Sequence, residues 1–198
     1  MVLMLNCSLK AKEGNTLFFM KLISQELNDC EILNIRDVLK NGIDEFAVKL
    51  QNADALVIGA PLYVDCLPSQ AVKLLEELLE NHKGEFENLP VYVVSNLGFY
   101  EAKQIQHLLD MVRNWCVRMG CVYGGGLAVG AGPLLVRIWN LPVNKDVKAG
   151  ISKMAKAISK KEAMGNYYTK TIVPRAVYLQ AAHMSFRKTL KANGVKEK

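Results

Sequence analysis

The feature that most constrains the fold is a series of short, continuously apolar segments along the chain. A strand with one solvated face alternates apolar and polar residues, whereas a strand of a parallel sheet is covered on both faces and is apolar throughout. Such segments lie at residues 2–5, 30–35, 55–60 and 91–95 and, interrupted by glycines, at 121–129. The chain is therefore predicted to contain five strands of a parallel sheet.

Between these segments, apolar residues recur at helical spacing. Residues 17–27, 72–79 and 105–117 each present one apolar face, the last of them ending on Val117. Parallel strands joined by right-handed crossovers place helices on both faces of the sheet. We predict an α/β fold with a doubly wound five-stranded parallel sheet in the flavodoxin-like order 2-1-3-4-5.

The chain continues beyond the fifth strand. A loop at 130–145 precedes an amphipathic helix, residues 164–171 are rich in Gly, Asn, Tyr and Thr and indicate a linker, and Pro174 can begin a last helix that extends to about Ala192. Residues 1–160 are predicted to be the main domain, with 161–198 a linker and helical extension of it. Because Val177 and Met184 form an apolar stripe on that extra helix, a homodimer or higher homo-oligomer is expected.

Composition excludes several classes of protein. The chain has 51% hydrophobic and 22% charged residues, as soluble globular domains do. No segment predicts a signal peptide or membrane insertion, and the five cysteines lack the CxxC spacing of metal sites, so a reducing, cytoplasmic location without a metal is expected.

The net charge of +6 is concentrated near the end of the chain. From Asp146 onward, 12 basic residues face 3 acidic ones. A solvated helix face explains such a bias more simply than a nucleic-acid partner does, and no nucleic-acid-binding motif is present. No nucleic-acid partner is expected.

In a doubly wound sheet, ligands bind beyond the carboxyl ends of the strands, at the point where the strand order reverses. The first loop, at 6–16, offers neutral donors at the start of a helix, as a phosphate requires, although Asn15 or Thr16 could instead cap that helix. It lacks the GxGxxG and Walker patterns. The second loop follows residue 60 with two prolines and a tyrosine, and the third, at 95–101, pairs Gly98 with two aromatic residues, so both can meet a flat ring.

These loops resemble those of the flavodoxin-like NAD(P)H-dependent FMN reductases and related multimeric flavodoxins. The similar motifs are Ser-x6-Asn-Thr, Pro-Leu-Tyr-x4-Pro-Ser-Gln and Asn-Leu-Gly-Phe-Tyr-Glu, within residues 1 to about 130. The resemblance implies that the first loop binds the FMN phosphate through Ser8, Lys10, Asn15 and Thr16. It implies that the isoalloxazine ring lies against Pro61, Leu62, Tyr63, Val64, Asn96, Gly98, Phe99, Tyr100 and Glu101.

The same resemblance implies an NAD(P)H-dependent oxidoreductase in which NADH or NADPH passes hydride to flavin N5 and then on to a quinone, free flavin or similar small electron acceptor. No side chain is expected to be catalytic. Two alternatives remain: an electron carrier between protein partners, although such carriers are typically acidic, and a binding module that has lost FMN. Cys66 could touch the ring, although thiols of this kind are usually inert.

Overall fold

The sheet begins with strands whose side chains are covered on both faces. In a computed structural model, which describes residues 1–10 and 13–195, β1 (Val2–Asn6) is buried at every residue, and β3 (Ala55–Pro61) and β4 (Pro90–Asn96) are buried almost throughout. The strands β2 (Cys30–Asn34) and β5 (Val122–Val129), on either side of these three, complete the five predicted strands. Continuous apolar segments therefore located the centre of the sheet correctly.

The described sheet has six strands, and the prediction of five was wrong. Its order is β2-β1-β3-β4-β5-β6, with every pair parallel, so the predicted order of the first five is confirmed. The sixth strand, β6 (Gly165–Tyr168), lies inside the segment predicted to be a linker. Four residues of Gly, Asn and Tyr lack the apolar signature of a buried strand, which is why the sequence concealed it.

A glycine in β5 makes the sixth strand possible. The register of β4 and β5 shifts at Val91 and Tyr92, and Gly125 adopts a positive φ of 114°. A Cβ atom there would approach the Gly165 carbonyl oxygen to 2.2 Å. Only glycine accommodates both this conformation and the approach of β6.

Helices cover both faces of the sheet, as expected of a doubly wound fold. One apolar core packs α2, α3, α4 and α5 on one face, and a second packs α1, α6 and α7 on the other. The exposed Val117 does not belong to the buried face of its helix, contrary to expectation. The helices are α1 (Asn15–Ser24), α2 (Ile35–Asn41), α3 (Ile43–Gln51), α4 (Ser69–Asn81), α5 (Gln106–Met119), α6 (Gly132–Arg137), α7 (Lys145–Lys160) and α8 (Arg175–Ala192), with 3-10 turns at Ala102–Ile105 and Pro142–Asn144.

The last helix differs from the others because none of its side chains is buried. It begins directly after Pro174, as predicted, and leaves Val177 and Met184 largely exposed. Its first turn contacts the third loop, described below, through Arg175 and Tyr178. None of the described helices is both long and apolar enough to cross a membrane.

Candidate functional site

The site lies where β1, β3 and β4 end side by side. Asn6 at the end of β1 is in register with Gly59, and Pro61 at the end of β3 is in register with Asn96. The Leu62 amide donates a hydrogen bond to the Asn96 carbonyl oxygen at 2.9 Å. Three segments therefore leave one edge of the sheet together: loop 1 (residues 7–14), loop 2 (residues 62–68) and loop 3 (residues 97–101).

Loop 1 folds back on itself around Ser8. The Ser8 amide donates to Asn6 Oδ1 at 3.1 Å, and Ser8 Oγ accepts a hydrogen bond from the Lys10 amide at 3.3 Å. A Cβ atom on Gly14 would lie 3.2 Å from Ser8 Oγ and 3.3 Å from the Lys10 carbonyl oxygen. Gly14 thus allows the two ends of the described part of the loop to close around the Ser8 hydroxyl.

Helix α1 starts at the mouth of this loop with free backbone donors. Gly14 is the residue before the first turn, no side chain caps the helix, and the first turn contains no acidic residue. The capping role considered for Asn15 or Thr16 is therefore absent. The free N–H groups and the helix dipole make this end of α1 attractive to an anion.

Thr16 joins the start of α1 to the end of β4. Its buried Oγ1 accepts a hydrogen bond of 2.7 Å from Asn96 Nδ2, and Asn96 is itself buried. The Thr16 hydroxyl keeps its own proton for donation to a further acceptor. Two of the predicted site residues, 80 positions apart in sequence, are therefore in direct contact.

Loop 2 is a tight turn that presents apolar side chains to solvent. Tyr63 and Cys66 exchange both backbone hydrogen bonds, at 3.1 and 3.0 Å, across the left-handed residues Val64 and Asp65. Val64 is 97% exposed, and a β-branched residue with positive φ is strained. Cys66 does not point outward: its Sγ lies 3.6 Å from Met111 Sδ.

Loop 3 has one free aromatic side chain and two polar ones that hold α8. Phe99 is 66% exposed. The Tyr100 hydroxyl donates to the Val173 carbonyl oxygen at 2.8 Å and lies 3.2 Å from that of Thr171, and Glu101 pairs with Arg175 at 3.0 Å. The polar groups of Tyr100 and Glu101, assigned to the flavin ring from sequence, are thus engaged with the approach to α8.

Tyr178 completes this attachment of α8. Its hydroxyl donates to the Gly98 carbonyl oxygen, and its ring lies 5.5 Å from that of Tyr100. Burial and the Glu101 carboxylate raise the pKa of Tyr178, which keeps the hydroxyl protonated as a donor. Three residues of the site were not predicted from the sequence: Tyr178 and Arg175, which attach α8, and Asn6, which orients Ser8. No spacing rule links the first two to loop 3, whereas the polar Asn6 ending an apolar strand was a usable signal.

The thiol within loop 1, that of Cys7, is unsuited to chemistry. Cys7 is fully buried, and burial raises the pKa of its thiol to about 12, so it stays neutral beside Ser8. All five cysteines are free. Within the described residues, no cluster of three or more His, Cys, Asp or Glu side chains could hold a metal ion.

These features define a doubly wound α/β protein with a candidate ligand site at the carboxyl edge of its sheet, where an uncapped helix start and exposed apolar side chains end neighbouring strands. The NADPH-dependent FMN reductase family matches residues 1–133, about two thirds of the sequence, and the chain belongs to that family. It is accordingly a flavin-dependent oxidoreductase whose cofactor is FMN, with NADPH named as the electron donor of the family. No curated protein matches the chain.

Solved structures share this fold at low sequence identity. The flavodoxin of Streptococcus pneumoniae TIGR4 is 17% identical with a TM-score of 0.59, covering 81% of this chain and 98% of its own. The NADPH-quinone reductase of P. pentosaceus is 15% identical with a TM-score of 0.56, and the match covers 79% of this chain and 94% of that protein. RosB, solved with bound 8-demethyl-8-formylriboflavin-5'-phosphate, is 16% identical with a TM-score of 0.58. The match covers 95% of this chain and 86% of RosB. At these identities the likeness establishes the fold.

The residues present suit FMN on two independent grounds. A phosphate needs several hydrogen-bond donors, which the uncapped first turn of α1, itself without an acidic residue, and the Ser8 and Thr16 hydroxyls supply. A flat ring needs apolar surface to cover, which the exposed side chains of Tyr63, Val64 and Phe99 supply at the neighbouring strand ends. The donor set and the ring-facing set lie on adjacent loops.

Proposed function

We propose that the protein uses FMN at this edge to carry electrons from NADPH or NADH to a small acceptor, a quinone, free flavin or similar compound. The observation that carries the proposal is the convergence of an uncapped helix start in loop 1 with exposed apolar side chains in loops 2 and 3. The family match supplies the chemistry. FMN, when bound, supplies a ring that accepts a hydride at N5 and releases it to the acceptor.

In this proposal, loop 1 holds the phosphate. Ser8 and Thr16 donate through their hydroxyls, Asn15 and the first turn of α1 donate through N–H groups, and Lys10 adds a positive charge. Asn96 orients Thr16 through their 2.7 Å hydrogen bond. Each residue thus binds or positions, and none transfers a proton.

The ring is proposed to lie between loops 2 and 3. Pro61, Leu62, Tyr63 and Val64 form one side, and Asn96, Gly98 and Phe99 form the other. We assign Tyr100 and Glu101 to the same site, where they act by fixing α8 beside the ring through Val173 and Arg175. The exposed faces of Tyr63 and Phe99 exclude water once the ring covers them.

We further propose that the protein works as a homodimer or higher oligomer in the cytoplasm, with no nucleic-acid or membrane partner. The exposed stripe of Val177 and Met184 on α8 supports association. Five free thiols support a reducing compartment. Residues 161–198 are treated as an extension of the domain formed by residues 1–160.

The alternative function is an electron carrier that exchanges electrons with protein partners and does not react with NADPH or NADH. The flavodoxin among the structural neighbours supports a common fold for both functions. The basic charge of +6 favours the reductase, because carriers of this fold are typically acidic.

Two measurements test the proposal. The purified protein should show a flavin absorbance spectrum or acquire one with added FMN, and NADPH or NADH should bleach it without oxygen. A protein that takes up no FMN contradicts the proposal. Bleaching by dithionite and by neither nicotinamide would support the electron carrier.

Ser8→Ala tests the phosphate assignment. Loss of one hydrogen bond to a charged group should weaken FMN binding roughly 10- to 100-fold, from about 1.5–3 kcal/mol. Riboflavin, which lacks the phosphate, should bind the variant and the unmodified protein equally. Equal losses for both ligands would show that loop 1 does not hold the phosphate. Ser69→Ala, an exposed serine at the start of α4, is the matched control.

A further inference from the structure

A groove beside loop 3 shares only Gly98 with the residues assigned to FMN. It holds about 220 Å³ and lies between α6, α8 and the turn at Gly98. We call it the α6–α8 groove and define it by Gly98, Leu134, Arg137, Tyr178, Ser185 and Phe186. Except for Gly98, these residues lie beyond the segment 1–133 that matches the family, so the groove belongs to the C-terminal part of this chain.

The position of the groove relates it to electron transfer. Gly98 is shared by the groove and by the loop assigned to the flavin ring, and Tyr178 contacts the Gly98 carbonyl oxygen directly. A molecule in the groove would therefore adjoin the ring site. An acceptor bound there would lie next to the ring from which it takes electrons.

The walls of the groove select for a flat apolar molecule. Phe186 is 69% exposed, and it lines the groove together with Tyr178 and Leu134. Exposed aromatic surface next to a concavity favours stacking with a planar ligand.

One charge interrupts the apolar lining. Within residues 1–10 and 13–195, the exposed Arg137 guanidinium pairs with no carboxylate and makes no hydrogen bond. A guanidinium offers a planar fork of donors that fits carboxylate or sulfonate oxygens. Because Arg137 lines the groove, a ligand with an anionic group would pair with it.

We propose that the α6–α8 groove binds the electron acceptor, and that this acceptor is a small planar aromatic compound with an anionic substituent, such as a carboxylated or sulfonated quinone. Its ring lies against Tyr178 and Phe186, and its anionic group pairs with Arg137. The proposal rests on the reductase function proposed above and adds the substrate class. Pockets for drug-sized ligands usually hold about 300–1,000 Å³, so 220 Å³ suits one small ring system better than a whole nicotinamide dinucleotide.

The test is an equilibrium titration of the FMN-loaded, oxidised protein with two naphthoquinones that differ in charge. The probes are 1,4-naphthoquinone-2-sulfonate and neutral menadione, with no nicotinamide present. Arg137→Gln should raise the Kd of the sulfonate about tenfold, as expected for a charge-assisted hydrogen bond at an open site, and change that of menadione less than about twofold. Phe186→Ala should weaken both quinones alike, because stacking does not depend on the substituent.

Arg118→Gln is the matched control, since Arg118 lies on α5 beside a different groove. It should leave both Kd values unchanged. Circular dichroism should confirm that each variant is folded. An Arg137→Gln variant that binds the sulfonate normally, or that loses both quinones equally, would overturn the proposal.

A reduction assay with NADPH and with NADH, run beside the titration, separates this proposal from the reductase function. Arg137-dependent binding of the sulfonate in a protein that NADPH and NADH fail to reduce would support the groove and remove the reductase. Reduction by NADPH, together with unchanged binding of the sulfonate by the Arg137→Gln variant, would support the reductase function and overturn the acceptor groove.

Discussion

At the scale of single residues, the site depends on a hydrogen bond between the end of β4 and the start of α1. Asn96 at the end of β4 donates to Thr16 at the start of α1, and both side chains are buried. A buried amide without a partner costs about 1–3 kcal/mol. The pair therefore stabilises the fold as well as shaping the site.

Thr16→Val should lower both stability and FMN affinity. The substitution keeps the shape of the side chain, removes the acceptor for Asn96, and is expected to reduce the free energy of unfolding by about 1–3 kcal/mol. Urea denaturation measures this effect. Thr16→Ser, which keeps the hydroxyl, should restore most of the stability. A Thr16→Val variant as stable as the unmodified protein would contradict the structural role of the bond.

An exposed carboxylate at the opposite edge of the sheet predicts a pH dependence. Hydrogen bonds from Lys161 and from the chain's amino group lower the pKa of Asp54 to about 2. Because the pKa of Asp54 is lowered, its ion pairs stabilise the folded state at pH values above the ordinary Asp pKa of about 3.9. This stabilisation disappears as the pH falls from about 4 to about 2.

Asp54→Asn should therefore cost less than about 1 kcal/mol at pH 7, because the pair is exposed. Thermal unfolding of the two proteins between pH 7 and pH 2 gives the difference. The stability gap should close toward pH 2. A gap that widens in acid would rule out the ion pair as its source.

At the scale of elements, the sequence could predict the strands and helices whose signal lies in their own residues. The central strands are apolar throughout, the helix faces repeat at regular spacing, and Pro174 marks the start of α8, so each was placed within a few residues. Loops 1, 2 and 3 were located for the same reason, since the carboxyl ends of parallel strands share one edge.

Elements defined by distant contacts could not be predicted. The strand β6 exists because Gly125 lets Gly165 approach closely, and neither residue carries a strand signal by itself. The short helix α6 interrupts a segment that looked like a plain loop. Likewise, Tyr178 belongs to the site only because α8 folds back onto Gly98.

The attachment of α8 predicts a local change without a global one. Tyr178→Phe removes the hydrogen bond to Gly98, worth about 1 kcal/mol, so amide hydrogen exchange in α8 should accelerate about fivefold. The melting temperature should stay nearly constant, since α8 has no buried side chain. Hydrogen exchange followed by mass spectrometry measures both regions.

Tyr63→Phe serves as the comparison, because Tyr63 is exposed on loop 2, away from α8. It should leave exchange in α8 unchanged. Equal protection of α8 in Tyr178→Phe and the unmodified protein would mean that Arg175 and Tyr100 suffice to hold the helix.

At the scale of the whole molecule, two faces of α8 have different roles. Tyr178 and Ser185 face the α6–α8 groove, while Val177 and Met184 lie exposed on a neighbouring face. The first face belongs to the proposed acceptor groove, and the second is the surface proposed to associate with another copy of the chain. Each role can be changed without touching the other.

The unmodified protein should be a dimer or larger by light scattering, and Val177→Glu combined with Met184→Glu should shift it toward the monomer, because charged side chains resist burial in an apolar interface. Removing residues 172–198 should do the same. FMN affinity should persist in the double variant, whose substitutions lie outside loops 1, 2 and 3. A monomeric unmodified protein would refute the proposed association.

The sixth strand also bears on aggregation. Without β6, the eight-residue β5 would form the edge of the sheet, and its unpaired backbone could template pairing with other chains. The edge is instead the four-residue β6, too short to extend far and followed by Lys170, whose amide is bonded to Asp146. The close approach of Gly165 to Gly125 thus ends the sheet in a form that discourages fibril growth during folding and at high concentration.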